Sequence, residues 1–239
     1  MKCWTRMALL MPYLLRHLFK SFINVFVILF HPNCFSQAWV MVYCRANVNI
    51  LEFLTNIDDP QQVETTYAID ISMIRSIIKS GNILQKKNDD YNARANFCWA
   101  STCALNQLSG VAMQGGCWAV HLLEHAMGAI DPKISHGAGL GVAFPAFVRA
   151  NAERGLRLQT YDRIAKEVFD EQGWEGLIKG FQAMLKQWEH PITLNQLFGR
   201  EMDQSEREEL LKVYMMRPIG KYPEGANKEE FARDAYKYM

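Results

Sequence analysis

Three histidines, His121, His125 and His136, fall within one short, largely apolar stretch of the chain. His121 and His125 are four residues apart, so on a helix they share one face about a turn from each other. His136 follows the turn signal Asp131-Pro132, where the chain can reverse and return a third imidazole to the same cleft. Neutral imidazole is a ligand for zinc and for ferrous iron and is also a group that moves protons at neutral pH. Three such rings among apolar neighbours are read as a functional cluster. His17 and His190 stand alone; His190, beside Pro191, is expected to be a cation near a helix C-terminus.

Residues 121–125 read His-Leu-Leu-Glu-His, the H-x-x-E-H pattern of inverted zinc peptidases. There His121 and His125 would bind zinc and Glu124 would activate water. That chemistry needs a further acid on a following helix. Asp131 is too near and Glu153 has no supporting pattern, so the peptidase is a minor alternative. The cluster His136-Gly137-Ala138-Gly139-Leu140-Gly141 superficially offers G-x-G, but no strand precedes it and no acidic partner follows, so no dinucleotide loop is indicated. Glycines beside a buried site more often permit close packing.

The elements that must hold these residues are helical. Val63, Tyr67, Ile71, Ile74 and Ile78 recur at spacings of three and four, with Gly81 as the expected stop. Asp90 is the expected N-cap of a small-residue helix over Tyr91–Ser109, closed by Gly110. A third helix is expected from Cys117 to Gly128, and a fourth from Gly137 to Asn151 with a kink at Pro145. Tyr161, Ile164, Ala165, Val168 and Phe169 form one apolar stripe. Trp174, Leu177, Ile178, Phe181, Leu185 and Trp188 form another, ended by Pro191. Asp203…Glu206 and Asn227…Glu230 resemble capping boxes. The fold class is an all-α bundle of seven or eight helices with an irregular apolar N-terminal extension.

That extension differs in kind from the rest. The first 45 residues carry Lys2, Arg6, Arg16, Lys20 and Arg45 and no acid, so all 25 Asp and Glu side chains lie beyond them. The bulk of the chain is therefore net acidic, and a nucleic-acid binder is not expected. Residues 21–44 hold no formal charge and are long enough to span a bilayer. His31-Pro32-Asn33 and Ser36-Gln37 interrupt them, so a membrane anchor is a minor reading. Phe22–Phe30 and Ala38–Tyr43 are expected to be β-like or irregular. The domains are drawn as 1–45 and 46–239. Six cysteines without a CxxC pair give neither a disulfide scaffold nor a thiolate zinc site, and a reducing cytoplasm is expected. Cys98 and Cys103 are expected to behave as small buried hydrophobes.

Three ordered blocks, Asn96-Phe97-Cys98-Trp99-Ala100-Ser101-Thr102-Cys103-Ala104-Leu105-Asn106, then Cys117-Trp118-Ala119-Val120-His121-Leu122-Leu123-Glu124-His125, then His136 through Ala146, resemble the iron-containing alcohol dehydrogenase family. Its NAD(P)-dependent butanol dehydrogenase-like branch is the nearest in pattern. The resemblance covers roughly residues 46–239 and implies the helical C-terminal domain of a two-domain enzyme, whose α/β half binds NAD(P). It implies His121 and His136 as metal ligands and His125 as the catalytic-side histidine lining the substrate and nicotinamide side. The implied cofactors are Fe2+ or Zn2+ together with NAD(P), and the implied substrate is a small alcohol or aldehyde. In the family's mechanism the metal polarises the alcohol oxygen and the alkoxide loses a hydride to the nicotinamide.

Two departures stand against full activity. The family takes an Asp and a His, four residues apart, from an earlier helix; the matching positions here are Arg45 and Asn49, just before Ile50-Leu51-Glu52. A guanidinium repels a cation and an amide oxygen is a weak ligand for iron, so metal affinity should fall by orders of magnitude. The dinucleotide half is also unmatched, which suggests a truncated gene product with impaired turnover. The interdomain face would then be apolar and prone to association, homo-oligomers included. The rival reading is a non-catalytic helical interaction module. Trp99, Trp118 and Phe144 fit either a substrate wall or plain core.

Overall fold

The computed structural model describes residues 38–57, 60–113, 116–216 and 228–239. Among them are ten α-helices and no strand: α1 Ala38–Leu54, α2 Glu64–Lys86, α3 Tyr91–Leu105, α4 Ala119–Ile130, α5 His136–Ala152, α6 Leu158–Ile164, α7 Gly173–Gln187, α8 Leu194–Phe198, α9 Gln204–Met215 and α10 Lys228–Tyr238. A π-helical turn, Ala165–Phe169, continues α6. The all-α expectation holds. The helix count exceeds seven or eight because short pieces such as α8 close loops between the longer stripes.

Helix α5 is the axis of the bundle. Apart from His136, Ala138 and Arg149, its whole length is buried, and α1, α4, α7 and α10 pack around it. Its N-cap is Ser135, whose side chain accepts from the Ala138 N–H. The helix runs through Pro145 to Ala152, although proline has no N–H for the Gly141 carbonyl. In α2 the residues Tyr67, Ile71, Ile74, Ile77 and Leu84 turn inward onto α3. Gly81 does not stop that helix. It is buried, and the inward stripe continues beyond it to Leu84, so burial of the last turn outweighs the weak helix preference of glycine.

Asp90 caps α3 as expected, accepting from the Ala93 N–H at 2.9 Å. The helix closes at Leu105 rather than Ser109, because Gln107 takes a left-handed φ of 71° and a 3-10 turn follows over Leu108–Gly110. Asp203 and Glu206 form a reciprocal capping box at α9; Asn227 lies outside the described residues. Helix α1 corrects the reading of Ala38–Tyr43 as β-like, for those residues are its first turns, and it runs across the boundary drawn at residue 45. Trp39, Val40, Val42 and Tyr43 are strand-favouring types, and packing of the following turns on α5 and α3 overrides that preference. Phe22–Phe30 and the greater part of 21–44 lie outside the described residues. Among those described, no helix is long and apolar enough to cross a membrane.

Candidate active site

The N-terminal half of α4 and the first residue of α5 bring the three expected imidazoles together. On α4 the His121 and His125 ring centroids are 6.3 Å apart. The turn between the helices is tied by Asp131, whose carboxylate accepts from the Lys133 N–H at 2.9 Å. It delivers His136 to 5.3 Å from His121 and 5.4 Å from His125, the latter pair stacked.

Two enclosed carboxylates hold this group from below. Glu52, near the end of α1, is fully buried. Its Oε1 accepts from the backbone N–H of Val120 at 2.7 Å and of His121 at 3.4 Å, and its Oε2 accepts from Nδ1 of His121. The first turn of α4 has N–H groups with no partner in the helix and the positive end of the helix dipole, so a carboxylate is stabilised there. Glu124, 2% exposed, accepts from Nδ1 of His136 and lies 3.9 Å from Nε2 of His125. Gly139 makes room for it, since a Cβ at that position would stand 2.6 Å from the Glu124 Cγ. Both clamps engage Nδ1, so the carboxylates do not occupy the Nε2 of His121 or of His136. Metal-binding histidines are fixed by the same carboxylate-to-imidazole arrangement.

Spacing alone does not reveal Glu52 as the holder of His121, and the H-x-x-E-H pattern suggests Glu124 only as a peptidase base. An acid inside the apolar run Ile50-Leu51-Glu52-Phe53-Leu54 was the available signal, since such a residue is buried only with partners. The position of Glu124 also disposes of the H-x-x-E-H geometry. Its carboxylate is shut beneath His136 rather than facing a water between His121 and His125.

Arg45, Asn49 and Glu52 share one face of α1 at spacings of four and three. Asn49 is buried and its Nδ2 donates to the Ala104 carbonyl of α3 at 2.7 Å, which commits the amide to helix packing. Arg45 is half-buried. Burial presses its guanidinium toward the neutral form and the Glu124 charge presses it back. The donor set therefore does not meet the four-ligand site that the resemblance implies: one expected ligand position is a cation, and the other offers only a weak amide oxygen, its nitrogen being tied to the Ala104 carbonyl. Among the described residues, the three that bring possible ligand atoms within 4.8 Å of one another are Glu124, His125 and His136.

Trp118 stands edge-on to His121 at 5.3 Å and Phe53 edge-on to Trp118 at 5.5 Å, so this pair walls the cleft. Phe144 belongs to the core, against Phe181 at 4.9 Å, and Trp99 is 71% exposed on the outside of α3. Cys103 is buried as expected, and Cys98 is partly exposed. His190 is buried and is not the helix-end cation expected of it. Its Nδ1 donates to the Pro191 carbonyl at 2.8 Å, and its Nε2 faces the buried Cys44 Sγ at 3.6 Å. Burial lowers its pKa, which keeps the ring neutral. Gly141 admits that ring, for a Cβ there would meet Cε1 at 2.8 Å. Gly139 and Gly141 thus serve packing, and His17 lies outside the described residues.

The model of the Fe-containing alcohol dehydrogenase family, C-terminal, matches residues 59–231. NADH-dependent butanol dehydrogenase B of Clostridium acetobutylicum is 43% identical over 74 residues, which is 31% of this chain and 18% of that protein. NADPH-dependent aldehyde reductase YqhD of Escherichia coli is 31% identical over 94 residues, covering 38% and 24%. Among solved structures, NADH-dependent butanol dehydrogenase A of Thermotoga maritima superposes with a TM-score of 0.70 at 30% identity, over 83% of this chain and 51% of that one. The chain thus spans about half the length of that solved relative.

Proposed function

Because this chain belongs to the Fe-containing alcohol dehydrogenase family, we propose that it carries the substrate-facing half of a cleft for NAD(P)-dependent interconversion of small alcohols and aldehydes. In this reading His121 and His136 are the ion-facing pair and His125 faces the substrate. The observation that carries it is the double clamp, in which Glu52 and Glu124 each grip a histidine through Nδ1.

The roles follow from exposure and bonding. His125 has the most open side chain of the three, 40% exposed, and so is the ring that meets an alcohol or aldehyde oxygen. Trp118 and Phe53 keep water from one side of that contact. Helix α5, buried from Gly139 onward except at Arg149, fixes the distance between His136 and the α4 pair. Arg45 supplies no lone pair and Asn49 only a weak amide oxygen where Fe2+ or Zn2+ would need strong ligands, and the 239-residue chain by itself is therefore a poor catalyst. The free thiols Cys44, Cys98, Cys103 and Cys117 suit a reducing cytoplasm.

The test is a turnover assay of the purified chain with butanol or butanal, NAD(P) or NAD(P)H, and added iron or zinc. The expected rate is at background. Robust turnover, lost in His121→Ala, would show that Arg45 and Asn49 do not disable the site. A second reading, a non-catalytic helical interaction module, is favoured by the same two positions. It predicts that His125→Ala changes neither alcohol binding nor any residual turnover.

A further inference from the structure

We infer that Glu124, His125 and His136 form a three-ligand site for one divalent ion of the zinc class, a turn along α4 from the His121–His136 pair. The inference rests on the reading of His136 as ion-facing and goes beyond it, exchanging His121 for Glu124 and His125 in the chain on its own.

The three side chains belong to one helix–turn–helix unit. Glu124 and His125 lie midway along α4 and His136 opens α5, so the set needs nothing from α1. One possible ligand atom of each lies within 4.8 Å of the other two. The Glu124 carboxylate is the hub. Its Oε2 accepts from Nδ1 of His136 and stands 3.9 Å from Nε2 of His125, while the two rings stack at 5.4 Å. Zinc bonds of about 2.0–2.2 Å in a tetrahedron put neighbouring ligand atoms about 3.4 Å apart, so shifts of about 1–1.5 Å bring these three onto one ion. The ion would take the place of the proton between Oε2 and Nδ1, since a ligating imidazole nitrogen must give its proton up.

The two carboxylates explain why the ion belongs here. A buried carboxylate is tolerated only when its charge is met. Glu52 accepts from two N–H groups at the start of α4 and from His121. Glu124 is as deeply enclosed, lies beyond that first turn and accepts from His136, so its charge is the less answered of the two. The rings differ in the same sense. His121 is the most enclosed, 13% exposed, and spends Nδ1 on Glu52. An ion at its other nitrogen would need the ligands that Arg45 and Asn49 replace. His125 and His136 have 40% and 32% of their side chains open to solvent, which leaves both room to turn. Two imidazoles and one carboxylate are the donor set of open zinc sites and also suit ferrous iron. Three protein ligands leave a fourth position for water or a small anion on the exposed side of the two rings.

The experiment is a Co2+ titration of the metal-free full chain, followed by the visible d–d bands of the bound ion and by calorimetry, with helix content checked by circular dichroism. The wild type should bind one ion with a Kd of about 10 μM, weaker than a closed structural site, and show four-coordinate bands. Glu124→Gln and His125→Ala should each weaken binding by at least about 100-fold, the upper end of what a residue outside the ligand set costs. His121→Gln should leave the affinity unchanged. Added acetate should shift the bands by entering the open position. A folded wild type that binds no tighter than about 1 mM would overturn the inference, as would bands that acetate does not move, which mean a fourth protein ligand. Binding lost in His121→Gln but kept in His125→Ala would overturn it and leave the His121–His136 pair standing. Binding that survives His136→Ala, with helix content intact, would overturn the reading of His136 as ion-facing and this site with it.

Discussion

Glu52 and Asp70 are both fully enclosed acids, yet the molecule treats them in opposite ways. Glu52 uses both oxygens, on the N-terminus of α4 and on His121. Asp70, on α2, has neither oxygen hydrogen-bonded, and the Tyr67 hydroxyl, the Ser101 hydroxyl and the Asn47 amide are buried without partners as well. Burial pushes the Asp70 carboxyl up to about 8, so at neutral pH it is held as the uncharged acid. Burial alone therefore does not mark a functional carboxylate here. What marks the pocket is that helix end and imidazoles converge on its acids.

That contrast can be broken at either end. Glu52→Ala strips the acceptor from two N–H groups and from His121, and should cost about 3–5 kcal/mol in urea unfolding, as removal of one partner from a buried pair does. A loss under about 1 kcal/mol would mean that the clamp is not formed.

Asp70→Asn should act in the other direction. The folded pKa of about 8 lies above the ordinary carboxylate value of 3.8, so between those limits the folded chain keeps a proton that the unfolded chain has lost. Wild-type stability should then fall as pH rises from 4 toward 8, by at most about 1.4 kcal/mol per unit. The asparagine variant should lack that slope and be the more stable protein at pH 7.5. Equal slopes would show Asp70 ionised and partnered, and the contrast would vanish.

Gly139→Ala sharpens the comparison from the packing side. The new Cβ would press on the Glu124 side chain at 2.6 Å, and a loss of about 1–3 kcal/mol is expected in thermal unfolding. A smaller effect is expected for Cys44→Ala, about 1 kcal/mol, since it removes one weak thiol hydrogen bond to a histidine already neutral. A cost as large as that of Glu52→Ala would mean that the Cys44–His190 contact holds α1 on the core as firmly as the clamp does.

Much of this arrangement is legible in the residues. The caps at Asp90 and at Asp203 with Glu206 are local signals that no tertiary contact needs to alter. The meeting of His121, His125 and His136 follows from a four-residue spacing and one turn. Other features are not local. Helix α1 begins among strand-favouring residues and is decided by its packing on α5. Gly81 looks like a stop only until its burial is known. The partnership of Glu52 with His121 joins residues far apart in sequence, and no periodicity within either segment announces it. His190 is misread from sequence for the same reason, because the thiol that faces it comes from α1.

Nitrogen-15 correlation spectra of the imidazole rings would resolve which nitrogen of each histidine carries the proton. If the two carboxylates grip as described, His121 and His136 will show a protonated Nδ1 and a bare Nε2 at neutral pH, and Glu52→Gln will disturb His121 alone. Rings protonated at Nε2, or averaging freely between both forms, would contradict the clamped pocket.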